Sequence, residues 1–164
     1  MTNISVRQAI MSDVSAILHI YNQGIEDRIA TLEEDMKDSD YMCTWFTERG
    51  ERYAVLVSEM NDQVIGWASL NPYSHRYAYA GVAELSIYVQ RDWRGKGIGS
   101  VLLKNLETVA KDNMFHKIIL FTFPFNANGQ GLYRKMGFRE VGVFHNQGKL
   151  DGQFVDVMAM EKLM

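Results

Sequence analysis

Asp92-Trp-Arg-Gly-Lys-Gly-Ile-Gly-Ser100 stands between an apolar β-like run, Val82 to Val89, and a run with helical spacing, Ser100 to Lys111. Glycines at 95, 97 and 99 leave the backbone unobstructed, so an anion can approach the peptide amides closely. In the run that follows, Val101, Leu102, Leu106 and Val109 recur at the period of a helix. A glycine-rich turn feeding a helix start presents unpaired amide hydrogens and the positive end of the helix dipole, which suits a phosphate. A plain tight turn would use the same residues, and the stretch alone does not choose between the two. It does exclude two nucleotide-binding turns. A P-loop needs Gly-x-x-x-x-Gly-Lys-Ser/Thr and a dinucleotide fold needs Gly-x-Gly-x-x-Gly, and neither spacing is present.

Upstream, Val82-Ala-Glu-Leu-Ser-Ile-Tyr-Val89 reads as a strand with one carboxylate, Glu84, among apolar residues. Such a group either faces solvent at a sheet edge or is held in a site. If it is held, lost hydration raises its pKa toward the range of a general base. The preceding segment, Asn71 to Gly81, is a polar and aromatic loop longer than most connections, and such loops in compact domains tend to carry function. Within it, Arg76 offers a planar fork of fixed charge that suits carboxylate or phosphinate groups. Tyr53 to Ser58 and Val64 to Leu70 read as strands of a hairpin turning at Asn61-Asp62.

Nearer the start, Ile4 to Arg7 alternates as a first strand. Ser12 reads as the N-cap of a helix carrying Val14, Ile17, Leu18, Tyr21 and Ile25, with Asp13 in its first turn. Asp27 to Lys37 is an acidic loop. A second helix begins near Asp38 or Ser39, carries Met42, Trp45 and Phe46 on one face, and ends at Gly50. Cys43 within it is remote in sequence from any histidine and reads as structural.

Downstream, Lys117 to Phe123 is apolar on both faces, which places it inside the sheet, and Pro124 ends it. Asn128 to Met136 is a short helix stopped by Gly137. Tyr133 on it is either core or, because its hydroxyl needs a partner, a proton donor to a leaving group. Phe138 to Phe144 and Phe154 to Met160 are closing strands, with polar, turn-rich Asn146 to Gly152 between them. The order β-α-α-β-β-β-α-β-α-β-β predicts an α/β (α+β) fold, a mixed sheet with helices on both faces.

The chain of 164 residues suits one domain, 1–164, and 47% hydrophobic with 23% charged residues provide a core without disorder. A single cysteine excludes an intramolecular disulfide framework and fits a reducing cytoplasm. A net charge of -3 argues against a nucleic-acid-binding face. With no 18-residue apolar run and no basic-then-apolar start, neither a membrane span nor a signal peptide is expected. The histidines at 19, 75, 116 and 145 lack metal-ligand spacing, so no metal is assigned, and Ser86 has no nucleophile elbow around it.

Taken together, these segments resemble the GNAT superfamily of acyl-CoA-dependent N-acetyltransferases. Its pyrophosphate-loop pattern, Arg/Gln-x-x-Gly-x-Gly/Ala, is matched by Arg94, Gly97 and Gly99. Its later signature is matched by Asn126, Leu132-Tyr133 and Gly137-Phe138. Within the superfamily the chain looks like the phosphinothricin and methionine-sulfoximine type. The matching features are Ile20-Tyr-Asn22, Ile29-Ala-Thr-Leu-Glu33, Trp45-Phe46, Arg76-x-Ala-Tyr79, Ser86-Ile-Tyr-Val89 and Gly152-x-x-x-Asp-Val157. Two departures border the acceptor pocket in relatives. Leu32 replaces a usual Phe, and Lys149-Leu-Asp-Gly-Gln-Phe154 replaces a usual Lys-His-Gly-x-Trp.

The resemblance implies a mostly antiparallel sheet that splays between the strands at 82–89 and 117–123, and acetyl-CoA as co-substrate in that splay. Ile87, Tyr88 and Val89 would hold the pantetheine arm, with the amides of Ile87 and Val89 pairing to it as to another strand. Arg94, Gly95, Lys96, Gly97, Ile98, Gly99 and Ser100 would cradle the pyrophosphate, and Asn126 would fix the arm beyond it. Glu84 would be the general base and Tyr133 the general acid, with Arg76, Tyr79, Glu26 and Thr31 at a small amino-acid-like acceptor. A homodimer through the C-terminal strands is also implied. Two other readings stay open: an acyl-CoA-binding module without turnover, and transfer to a peptide, protein or polyamine.

Overall fold

The computed structural model describes residues 3–164. The strands are β1 (Ser5–Gln8), β2 (Val55–Met60), β3 (Gln63–Pro72), β4 (Val82–Val89), β5 (Lys117–Thr122), β6 (Arg139–Leu150) and β7 (Gln153–Leu163). The α-helices are α1 (Val14–Asp27), α2 (Ser39–Thr47), α3 (Ile98–Asp112) and α4 (Ala127–Lys135). Element order follows the sequence reading. The strands form one sheet, ordered β1-β2-β3-β4-β5-β7-β6, and every neighbouring pair is antiparallel except β4 with β5.

The period of two along the strands divides the core between the faces. Leu56, Ala68, Leu70 and Leu85 pack with Ile98, Leu102, Leu103 and Leu106 of α3. Val55, Val57 and Trp67 turn the other way, onto Val14, Ile17 and Ile20 of α1 and Met42 of α2. Helices therefore cover both faces. The β2–β3 hairpin turns at Asn61 and Asp62 with φ of 51° and 63°, the left-handed pair that a two-residue turn of the right twist demands.

Most boundaries shift from the sequence reading by one to three residues, and three differ in what caps or ends the element. Ser12 is not the cap of α1: Met11–Asp13 forms a 3-10 turn, and α1 begins at Val14. The Asp13 carboxylate accepts from the Ile10 amide at 2.8 Å and from Arg7 at 2.7 and 2.9 Å, so it closes the turn and ties it to β1. Helix α2 ends at Thr47, short of Gly50, and is capped at its start by Asp38, whose Oδ1 accepts from the Tyr41 amide at 2.9 Å. Strand β6 does not stop at Phe144. It runs to Leu150 over an irregularity between Phe144 and Gly148, where the Asp156 carboxylate takes the Asn146 amide at 2.8 Å. The hairpin turns at Asp151 and Gly152 instead, both with positive φ.

Candidate active site

Strands β4 and β5 pair for three residues only, Val82↔Lys117, Ala83↔Ile118 and Glu84↔Ile119. Beyond that point β4 keeps its pairing with β3 as far as Val89↔Gly66, while β5 keeps its pairing with β7. The two strands diverge, and a cavity of about 260 Å³ opens between Leu85–Tyr88 on one side and Leu120–Phe123 on the other. Tyr21 of α1, Ala30 to Glu33 of the following segment, Asn126 and Tyr133 complete its walls.

Glu84 lies at the vertex of this splay. It is half-buried on an interior strand, and desolvation alone raises its carboxyl above the ordinary range. Neither an ion pair nor a hydrogen bond to its carboxylate occurs among the described residues. Tyr133 enters from α4, with its ring 6.0 Å from that of Phe138. Burial pushes its hydroxyl up to about 12, so it keeps its proton at neutral pH. Tyr88 and Tyr21 are also raised by burial, and their rings meet edge to face at 5.1 Å.

The glycine-rich stretch lies just past the open end of β4. Gly97 adopts φ 85° as the N-cap of α3, and Gly95 adopts φ 75°. A Cβ on either would meet nothing within 4 Å, so both face open space and the demand for glycine there is conformational. Gly99 differs. A Cβ on it would stand 2.8 Å from Leu132 Cδ2, so its missing side chain lets α4 close onto the start of α3. The first intrahelical bond is Val101 N to Gly97 O, which leaves the preceding amides at the helix start free to receive an anion. These residues fit an acyl-CoA: an unpaired strand edge for the arm and a helix start with an open approach for the pyrophosphate.

The expected site residues do not all share one place. Glu84, Ile87, Tyr88, Asn126, Tyr133 and Thr31 line the splay together. Arg94 turns away from the loop's open side: its Nη1 pairs with Asp27 at 2.5 Å and its Nε donates to the Val89 carbonyl at 3.2 Å. Asn126 caps α4, accepting from the Gly129 amide at 3.1 Å. Glu26 pairs with Arg91 at 3.0 Å outside the cavity. Arg76 and Tyr79 lie on the exposed loop beyond β3, and neither lines the splay. The sequence reading missed Tyr21, Glu33 and Ser86 as wall residues. Ser86 had a signal, since it stands two positions from Glu84 and so shares its face of β4.

A sheet opened in this way beside a glycine-rich helix start, with a desolvated carboxylate and a protonated tyrosine in the opening, defines an acyltransferase that uses coenzyme A thioesters. The chain belongs to the GNAT acetyltransferase family, whose model, described as "Acetyltransferase (GNAT) family", matches residues 17–138. It is 32% identical over 159 residues to the L-methionine sulfoximine/L-methionine sulfone acetyltransferase of Pseudomonas aeruginosa, covering 96% of this chain and 92% of that one. A ribosomal-protein-alanine N-acetyltransferase from Brucella melitensis superposes with a TM-score of 0.94 at 33% identity, covering 98% of this chain and 99% of the other. A GNAT superfamily phosphinothricin acetyltransferase (Pat) from Sinorhizobium meliloti, solved with acetyl-CoA, gives 0.93 at 28% identity, covering 100% and 89%. The protein is an acetyl-CoA-dependent N-acetyltransferase.

Proposed function

We propose that the protein transfers the acetyl group to the amino group of a small amino-acid-like acceptor of the phosphinothricin, arsenical-analogue or methionine sulfoximine/sulfone type, by direct attack in a ternary complex. The observation that carries the reading is Glu84, a carboxylate without a partner among the described residues, in the same 260 Å³ cavity as Tyr133. Mere binding of acyl-CoA needs neither group.

An α-ammonium must lose a proton before it can attack. Glu84 takes that proton, through a water. The amide near Ile87 donates to the oxyanion of the tetrahedral intermediate, and Tyr133 gives its proton to the departing thiolate. Arg76, with Tyr79 beside it, receives the acidic end of the acceptor. The exposed apolar side chains Val143, Phe144 and Phe154 on the β6–β7 hairpin support a homodimer through the C-terminal strands.

Thiol release from acetyl-CoA, measured against phosphinothricin, its arsenical analogue, methionine sulfoximine, methionine sulfone, polyamines and a peptide with an N-terminal alanine, tests the acceptor class. Turnover with the peptide alone would replace this reading by the second, which the Brucella structure favours. Glu84→Gln is expected to lower kcat by about 10²- to 10⁴-fold with a smaller effect on the KM of acetyl-CoA. Unchanged turnover removes Glu84 from the mechanism. Arg76→Ala is expected to raise the acceptor's KM far more than that of acetyl-CoA, and equal effects count against its role.

A further inference from the structure

A chain of hydrogen bonds runs from the end of α2 to the strand that carries Glu84. Arg49 donates from Nε to the Tyr53 carbonyl at 2.8 Å, and from Nη2 to the Leu70 carbonyl at 2.7 Å and Asn71 Oδ1 at 2.9 Å. A guanidinium can only donate, so the atom of Asn71 that it meets must be the oxygen. Asn71 Nδ2 therefore faces β4, where it donates to the Glu84 carbonyl at 3.2 Å and to Ser86 Oγ at 3.0 Å. An amide nitrogen also only donates, so Ser86 Oγ accepts. Its own proton is left over and has no acceptor among the described residues.

The cation that fixes this arrangement is itself unusual. Arg49 has no carboxylate partner among the described residues, lies with its guanidinium carbon 4.4 Å from the Trp45 ring centre, and is held by burial at a pKa of about 10. It stays charged at neutral pH, and a charge of that kind cannot let the Asn71 amide flip without placing N–H against N–H.

Ser86 and Glu84 share one face of β4 and both line the splay. One offers a proton without an acceptor, the other a carboxylate without a donor. Alternate residues on a strand stand about 6.6 Å apart, too far for most direct contacts. One water with two bonds of about 2.8 Å spans a gap of roughly that order. We propose that Ser86, oriented by Asn71 and Arg49, positions the water that carries the acceptor's proton to Glu84. The water accepts from Ser86 with one lone pair and from the acceptor's ammonium with the other, and aims a proton at the Glu84 carboxylate. As the N–H bond breaks, the water gains that proton and passes one of its own to Glu84. Ammonium, water and carboxylate become amine, water and carboxylic acid, and Ser86 keeps its proton throughout. Ser86, Asn71 and Arg49 are thus positioning residues. The other ionisable groups lining the splay or the small cavity behind Ser86 are Tyr21 of α1, Glu33, Tyr41 of α2, Tyr88 of β4 and Tyr133 of α4.

The inference rests on the acetyltransferase reading with Glu84 as base, and the test separates the two. Ser86→Ala in the full chain is expected to lower kcat/KM for the amine at pH 7 by about 10- to 100-fold, leaving the KM of acetyl-CoA within about twofold. The deficit should shrink as pH approaches the acceptor's own pKa, where free amine no longer needs the relay. Ser86→Thr, which keeps a hydroxyl, should recover most of the loss. Asn71→Asp keeps an oxygen for Arg49 but offers Ser86 an acceptor for its proton. It should show the same pH-dependent deficit without a lowered Tm. A Ser86→Ala deficit that is constant across pH, or absent, overturns the relay while leaving the enzyme's activity in place. No thiol release by the unaltered protein with any amine, or full activity in Glu84→Gln, overturns the underlying reading instead.

Discussion

Glu84 lies where water reaches it only in part, and burial holds its carboxyl above the ordinary range. Because its folded pKa exceeds its unfolded one, the folded state binds more protons between the two values. Stability therefore falls as pH rises through that window and stays lower above it. Glu84→Gln removes this cost, so it is expected to raise Tm at pH 7 even as it lowers turnover, with the gain vanishing below about pH 4. Thermal melts of both proteins at the two pH values check the sign. Burial raises Tyr133 in the same direction, and its value of about 12 keeps it a donor across the working range. Tyr133→Phe is expected to cost about 10²-fold in kcat, and less with a thioester whose thiol is more acidic. Both residues were legible because each sits within a patterned stretch. Ser86 was legible only in its face of the strand, not in its partner: Asn71 is 15 residues away, brought opposite by the register of β3 on β4.

At the scale of elements, the start of α3 shows two glycines kept for different reasons. Gly97 holds φ 85°, so Gly97→Ala should cost about 1–2 kcal/mol in denaturant unfolding, and Gly97→Asn less. Gly99→Ala would press on Leu132, a movable side-chain end, and is expected to raise the KM of acetyl-CoA by shifting α4 against α3. Titration of each variant with acetyl-CoA separates the two effects. The sequence pattern located this turn and helix well, because helical periodicity begins where the glycines stop. It failed on β6, an edge strand exposed along most of its length, where no alternation of buried and open positions marks the pairing. It also placed the cap of α1 one residue early, because the oxygen that closes the turn belongs to Asp13, whose other task is to bind Arg7.

Across the whole molecule, buried or half-buried carboxylates are held in ion pairs that tie elements together. Asp13 is bound by Arg7, Asp27 by Arg91 and Arg94, and Glu161 by Lys117 and Arg139, and these pairings hold all three carboxyls below their ordinary range. Depressed values mean that the stabilisation is present above the unfolded pKa, near 4, and is lost as pH falls through the folded ones. Asp13→Asn is therefore expected to cost about 2 kcal/mol at pH 7, with the gap to the unaltered protein narrowing as pH falls below the unfolded value near 4. Sedimentation at micromolar concentration tests the proposed dimer: a monomer overturns it, and Val143→Glu on the outer strand is expected to disperse any dimer found. The three-residue pairing of β4 with β5 has a further consequence. If acetyl-CoA completes the sheet at this opening, as the proposed function requires, its binding is coupled to folding. At a hundredfold excess over Kd, acetyl-CoA should add about 2.7 kcal/mol to unfolding and slow exchange of the amides from Leu85 to Val89. A fall in thioester concentration would then be registered as a lower melting temperature before any change in the rate of synthesis or chemistry.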